Sequence, residues 1–149
     1  MKITRVETIR LDEFSNLLWL RLHTDEGVIG LGETFFGARA AEAYIHETAA
    51  PMLLGRDPLQ IERIHRDLTP YIGFIGTGAE TRGRSAIDLA LWDLWGRVAD
   101  QPVYQLLGGS CRDRVLVFEN INGETIEDRA ESARNSVAKG YTSLRTNPF

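Results

Sequence analysis

The chain has 149 residues, 43% of them hydrophobic, which is enough to fill the core of one domain or of one domain plus a fragment and excludes a disordered tail. Its 21 acids outnumber 17 bases for a formal charge of -4, with no block of like charge suited to a nucleic-acid backbone or an anionic membrane. One cysteine, Cys111, excludes an internal disulfide; no apolar run approaches the roughly 18 residues of a membrane span, and Met1-Lys2-Ile3-Thr4-Arg5 leads into alternating residues rather than a signal peptide, so the expected setting is cytoplasmic.

In chain order, residues 2–11 are rich in Ile, Val and Thr. LLWLRLHT then alternates Leu18, Leu20 and Leu22 against Leu17, Trp19 and Arg21. Asp25-Glu26-Gly27 is a turn signal and VIGLGETFF returns, so three strands in an antiparallel meander are predicted. A helix over 39–53 follows, with Ala40, Ala43, Tyr44 and Ala50 at helical spacing. Asp57-Pro58 reads as the N-cap and first position of a second helix ending near Leu68, with Ile61, Ile64 and Leu68 on one stripe. A glycine-rich loop, PYIGFIGTGAETRG, leads to a third helix carrying Ile87, Ala90, Leu91, Leu94, Trp95 and Val98 on a broad arc. Leu89 and Trp92 add apolar surface elsewhere, so burial between layers is expected. Asp88 lies four residues after Arg84 and Asp93 four before Arg97, and both acids read as braces rather than catalysts.

After Gly108-Gly109 the pattern becomes strand, helix, strand. RVLVFENIN is the first strand, Thr125 with Asp128 forms a capping box, and Ile126, Ala130, Ala133 and Val137 make one helical face. Gly140 ends the helix and YTSLRTNPF is the second strand. A parallel pair of this kind is normally extended by further repeats.

GLGET, LLGRDPLQIERI and RGRSAIDLALWDLWGRVADQPVYQLLGG, followed by this βαβ start, resemble the enolase superfamily in its mandelate racemase and muconate lactonizing enzyme branch. The resemblance implies an α+β capping domain, a three-stranded antiparallel meander plus helices, over residues 1–112. It implies for residues 113–149 the first βαβ unit of a truncated (β/α) barrel. Members abstract the proton alpha to a carboxylate and stabilise the enediolate on Mg²⁺, with a Lys or His as base. The family's three metal carboxylates end the third, fourth and fifth barrel strands, so no residue of this chain is expected to bind the metal.

The family's Lys-x-Lys position on the second barrel strand corresponds to Arg145-Thr146-Asn147. An amide does not take up a proton near neutral pH, so Asn147 is expected to hydrogen-bond a hydroxyl or carboxylate, and Arg145 to support a metal site or bind a carboxylate. Arg-x-Asn points to a sugar-acid dehydratase, a hydro-lyase of the aldonate or galactonate type, over a two-base racemase. Asn147 as a plain strand-end residue before Pro148 is the competing reading. The resemblance also places two lid loops, near 12–16 and 71–78, with Phe14, Tyr71 and Phe74 as substrate contacts or, alternatively, ordinary core aromatics. The expected partner is a small carboxylate, a sugar acid, and the expected state a homo-oligomer.

Other motifs fail. His46-Glu47 lacks the second histidine of a zincin helix, because Ala50 stands there, and Gly73, Gly76 and Gly78 do not form G-x-G-x-x-G. The alternatives to a dehydratase are a racemase, epimerase or cycloisomerase of the same superfamily, or a non-catalytic α+β binding and assembly module. On either count the 149-residue chain alone is expected to be inactive.

Overall fold

A computed structural model describes residues 1–69 and 78–147 of the chain. It divides into two compact units, Met1–Gly109 and Ser110–Phe149.

The first unit begins with three strands, β1 (Ile3–Ile9), β2 (Leu17–Thr24) and β3 (Ile29–Phe35), in antiparallel order β1-β2-β3. Alternation sets the inner face. Leu18, Leu20 and Leu22 are fully buried, while Arg21 between them is exposed. The β2–β3 turn closes through Thr24, whose amide and hydroxyl both donate to the Val28 carbonyl at 3.1 and 2.8 Å.

The cover is α4 (Ala79–Ala99), which lies on β3 with Ala86, Ile87, Ala90, Leu91 and Leu94 buried. Its close approach depends on two glycines in β3. A Cβ on Gly32 would strike the Ala86 carbonyl oxygen, and one on Gly30 the Ala90 carbonyl oxygen. The helix is covered over most of its girth, with Trp92 and Trp95 half-buried against the core, and leaves Leu89 and Val98, at 53% and 44%, exposed. It also starts earlier than expected, taking AETRG of the glycine-rich stretch into its first turns.

Between sheet and α4 run α1 (Ala38–Tyr44), a π-turn (Ile45–Ala49) and α2 (Ala50–Leu53) as one continuous helical path. Pro51 has no N–H and its ring crowds the carbonyl four residues back, which accounts for the widened turn before it. The buried stripe is Ala38, Ala41, Ile45, Ala49 and Leu53, whereas Ala40 and Ala43 are exposed. Of the expected face Ala50 is buried and Tyr44 half-buried against the core, while Ala40 and Ala43 give way to Ala38 and Ala41, which lie in line with the larger Ile45. The next helix, α3 (Ile61–Leu68), buries Ile61, Ile64 and Leu68 as expected. Its N-cap is Gln60, not Asp57. Asp57 instead accepts the Leu59 amide at 3.0 Å, so Asp57-Pro58 makes an Asx turn ahead of the helix. A short α5 (Val103–Leu106) follows α4.

In the second unit, β4 (Glu119–Asn120) and β5 (Leu144–Arg145) pair in parallel around α6 (Ile126–Ala138). Both halves of the predicted capping box are present between Thr125 and Asp128. At the other end Gly140, at φ 96°, donates to Val137 O and Tyr141 donates to Ser136 O, a complete Schellman ending. The strands are shorter than predicted. Val115, Leu116, Val117 and Phe118 lie outside β4 and are 50–77% exposed, as are Ile126 and Val137 at 72% and 58% on the expected apolar face of α6.

Candidate active-site residues

The two parallel strands set the geometry of the second unit. Glu119 pairs with Leu144 and Asn120 with Arg145, so Asn120 and Arg145 end their strands side by side. Just past them a cleft of about 530 Å³ opens, lined by Asn120, Ile121, Asn122, Gly123, Arg129, Arg145, Thr146 and Asn147. The C-terminal ends of parallel strands are where (β/α) barrels carry their chemistry, since only the loops there are free to vary.

Arg145 and Asn147 are thus brought to one cleft. The Arg145 guanidinium lies over the Phe118 ring, 5.7 Å from its centroid, which holds the cation at the cleft wall. Arg129, from the first turn of α6, donates to Gly123 O at 2.9 Å and to Asn147 O at 3.1 Å, tying the two strand-end loops together. The lining is two guanidiniums, three asparagine amides and a threonine hydroxyl. That set donates to anionic and hydroxylated ligands and offers no side-chain group able to take a proton near neutral pH. Asn120, Asn122 and Arg129 were not singled out from the sequence. The available signal was the position of Asn-Ile-Asn at the end of the first strand and of Arg129 four residues after the cap.

A magnesium ion does not fit this lining, because a hard divalent cation takes carboxylate and carbonyl oxygens and two guanidiniums repel it. Among the described residues no group of three His, Cys, Asp or Glu side chains is placed to hold a metal.

In the first unit, Phe14 sits in a 3₁₀ turn (Asp12–Phe14) between β1 and β2, 47% exposed and edge-on to Trp19 at 6.4 Å. Tyr71 and Phe74 lie outside the described residues. Glu33 accepts the indole N–H of Trp19, its cross-strand partner, at 2.8 Å. Asp93 braces as expected: its Oδ2 accepts from Arg97 Nε at 2.8 Å and from the Leu31 amide at 2.8 Å, which joins α4 to the free edge of β3. Asp88 does not. Arg84 turns to the Thr81 hydroxyl at 3.3 Å, and burial pushes the Asp88 carboxyl above the ordinary value, with His65 partly offsetting it.

Against known proteins, residues 8–108 match the mandelate racemase / muconate lactonizing enzyme N-terminal domain. A D-galactonate dehydratase family member, RspA, of Halomonas elongata is 40% identical over 97% of this chain and 36% of its own length. An enolase of the mandelate racemase subgroup from Agrobacterium tumefaciens is 48% identical, with a TM-score of 0.87 over 98% of this chain and 38% of that one. An enolase from Pantoea ananatis, solved with bound D-gluconate and magnesium, is 35% identical with a TM-score of 0.90 over 98% and 36%. The chain therefore spans little more than a third of the length of the relatives it matches.

Proposed function

Because the chain belongs to the mandelate racemase / muconate lactonizing enzyme family of the enolase superfamily, we propose that it forms the capping domain (residues 1–112) and first two barrel strands (residues 113–149) of a magnesium-dependent sugar-acid dehydratase. The observation that carries the reading is the cleft at the ends of β4 and β5, whose guanidiniums and amides suit a polyhydroxylated carboxylate. The dehydratase relative and the gluconate-bound neighbour support the same class of substrate.

In this reading Arg145 pairs with the substrate carboxylate and keeps its charge throughout. Asn147, Asn120 and Asn122 hydrogen-bond hydroxyls and so fix which carbon presents its proton. None of them is the base. Removing a proton alpha to a carboxylate also needs a divalent cation to meet the developing charge, and the cation's carboxylates belong to barrel strands outside residues 1–149. Departure of the hydroxyl from the neighbouring carbon then completes the loss of water. Phe14, Tyr71 and Phe74 contact the substrate from the lid loops, which exclude water. In this reading the enzyme is a cytoplasmic homo-oligomer.

Two measurements test this. The purified 149-residue chain should bind no magnesium saturably and should not turn over D-mannonate, D-galactonate or D-gluconate. Fused to the remaining barrel of a dehydratase relative, it should support magnesium-dependent dehydration of one of them, and Asn147→Ala should lower that rate about tenfold or more, the worth of a good positioning hydrogen bond. A folded fusion inactive on all three acids would overturn the proposal.

A further inference from the structure

The stem of the loop that carries Phe14 is fixed by four side chains, those of Thr8, Arg10, Glu42 and His46. Arg10, the residue after β1, donates from Nε to Glu42 Oε2 at 2.6 Å, and both are largely covered, at 33% and 25% exposure. The other oxygen of Glu42 accepts the Thr8 hydroxyl at 2.9 Å, and Thr8 Oγ1 lies 2.7 Å from His46 Nε2. Thr8 has one hydroxyl proton. Once it is given to Glu42, the Thr8 oxygen can only accept, so His46 Nε2 must carry a proton and donate. The chain of donors then runs from His46 to Thr8 to Glu42, with Arg10 closing it from the opposite side.

The placement of this network matters more than its existence. Glu42 and His46 are four residues apart on the helical path and share a face, Glu42 on α1 and His46 in the π-turn. Both point at the end of β1. Past Arg10 the chain enters the Asp12–Phe14 turn, and the next fixed points are the Phe14 ring against Trp19 and the Asn16 carbonyl, which accepts the Phe36 amide at 2.9 Å. Arg10 is therefore the last side-chain anchor before the loop. A partly buried, charge-assisted bond is strong enough to choose among loop positions, where an exposed pair would not be.

We propose that Arg10 and Glu42, backed by Thr8 and His46, are positioning residues that hold the 11–16 loop, and with it the Phe14 ring, in the one position on the first unit from which it can serve as a lid. The inference rests on the reading of that loop as a substrate lid. Its test uses no substrate, so either idea can fail without the other.

The test is NMR of the full 149-residue chain, following the Trp19 indole N–H signal and hydrogen exchange at the Phe14 amide, which donates to Leu11 O at 3.0 Å. Arg10→Ala and Glu42→Gln should each shift the Trp19 signal, through the moved Phe14 ring, and speed Phe14 exchange about tenfold while Leu20 and Leu22 keep their protection. The swapped pair, Arg10→Glu with Glu42→Arg, should recover part of both readouts, since it restores the ion pair but not the acceptor of the Thr8 hydroxyl. If Arg10→Ala does not fold, Glu42→Gln decides. An unmoved Trp19 signal, or Phe14 exchange that rises only together with that of Leu20 and Leu22, would overturn the proposal.

Discussion

Residues 1–109 and 110–149 hold their secondary structure by different means. In the first unit the sheet and α1, α3 and α4 are pinned by a shared core: the buried hydrophobic residues among those described all lie at or before Leu94, and all but Ala50 form one cluster. In the second, the one buried polar or apolar side chain is Ser136 among the described residues. Its helix is written locally, in the capping box at Thr125 and the Schellman ending at Gly140. A buried leucine contributes roughly 1.5–3 kcal/mol, and a cap about 1 kcal/mol. The first unit thus stands on tertiary contacts and the second on end signals, and substitutions should separate the two.

The largest effect is expected at Gly32. Alanine there drives a methyl group into the Ala86 carbonyl, a backbone atom of the helix that cannot rotate aside. Gly32→Ala should cost about 3 kcal/mol or more, as severe overpacking does, and lower the denaturant midpoint of the first unit. Helicity of α6 should persist. If Gly32→Ala leaves the midpoint unchanged, α4 does not lie on β3 as closely as described.

Thr125→Ala should do the reverse at smaller scale. Loss of the cap costs about 1 kcal/mol, read as faster exchange of amides in the first turn of α6, with no change in the midpoint of residues 1–109. Coupled loss in the first unit would show that the two are not independent.

The same contrast explains what the sequence could tell. Strand alternation at Leu18, Leu20 and Leu22, the stripe of α3 and the capping box are local patterns, and each appears where the pattern puts it. RVLVFENIN looks like a strand throughout, yet only Glu119 and Asn120 pair, because strand hydrogen bonds need a neighbour and β5 offers two residues. Ala40 and Ala43 share a helical spacing, but so do Ala38 and Ala41, and only the second pair lies on the stripe of Ile45 that the core covers. The helix-facing role of Gly30 and Gly32 was invisible in GLGET, since a glycine declares a close approach only once the approaching backbone is known. At the cleft, Arg145 and Asn147 were found through resemblance, while Asn120, Asn122 and Arg129 needed the strand register to be brought beside them.

The smallest effect distinguishes two aspartates. Asp128 is held below the ordinary carboxyl range by its bonds to Thr125, so its contribution is present above the unfolded value and lost as pH falls through the lower folded one. Asp88 has the opposite sign. Burial against α3 raises it, so the folded chain binds the proton more tightly than the unfolded chain. Stability then declines as pH rises from the ordinary aspartate value to the raised folded one, and the deficit persists above that. Asp88→Asn removes the charge without changing shape, and it should raise the unfolding midpoint of the first unit slightly at neutral pH. At a pH below the ordinary aspartate value the variant and the parent should unfold together. A variant less stable than the parent at neutral pH would mean that the charged carboxylate is paired, and that Asp88 braces α4 as Asp93 does.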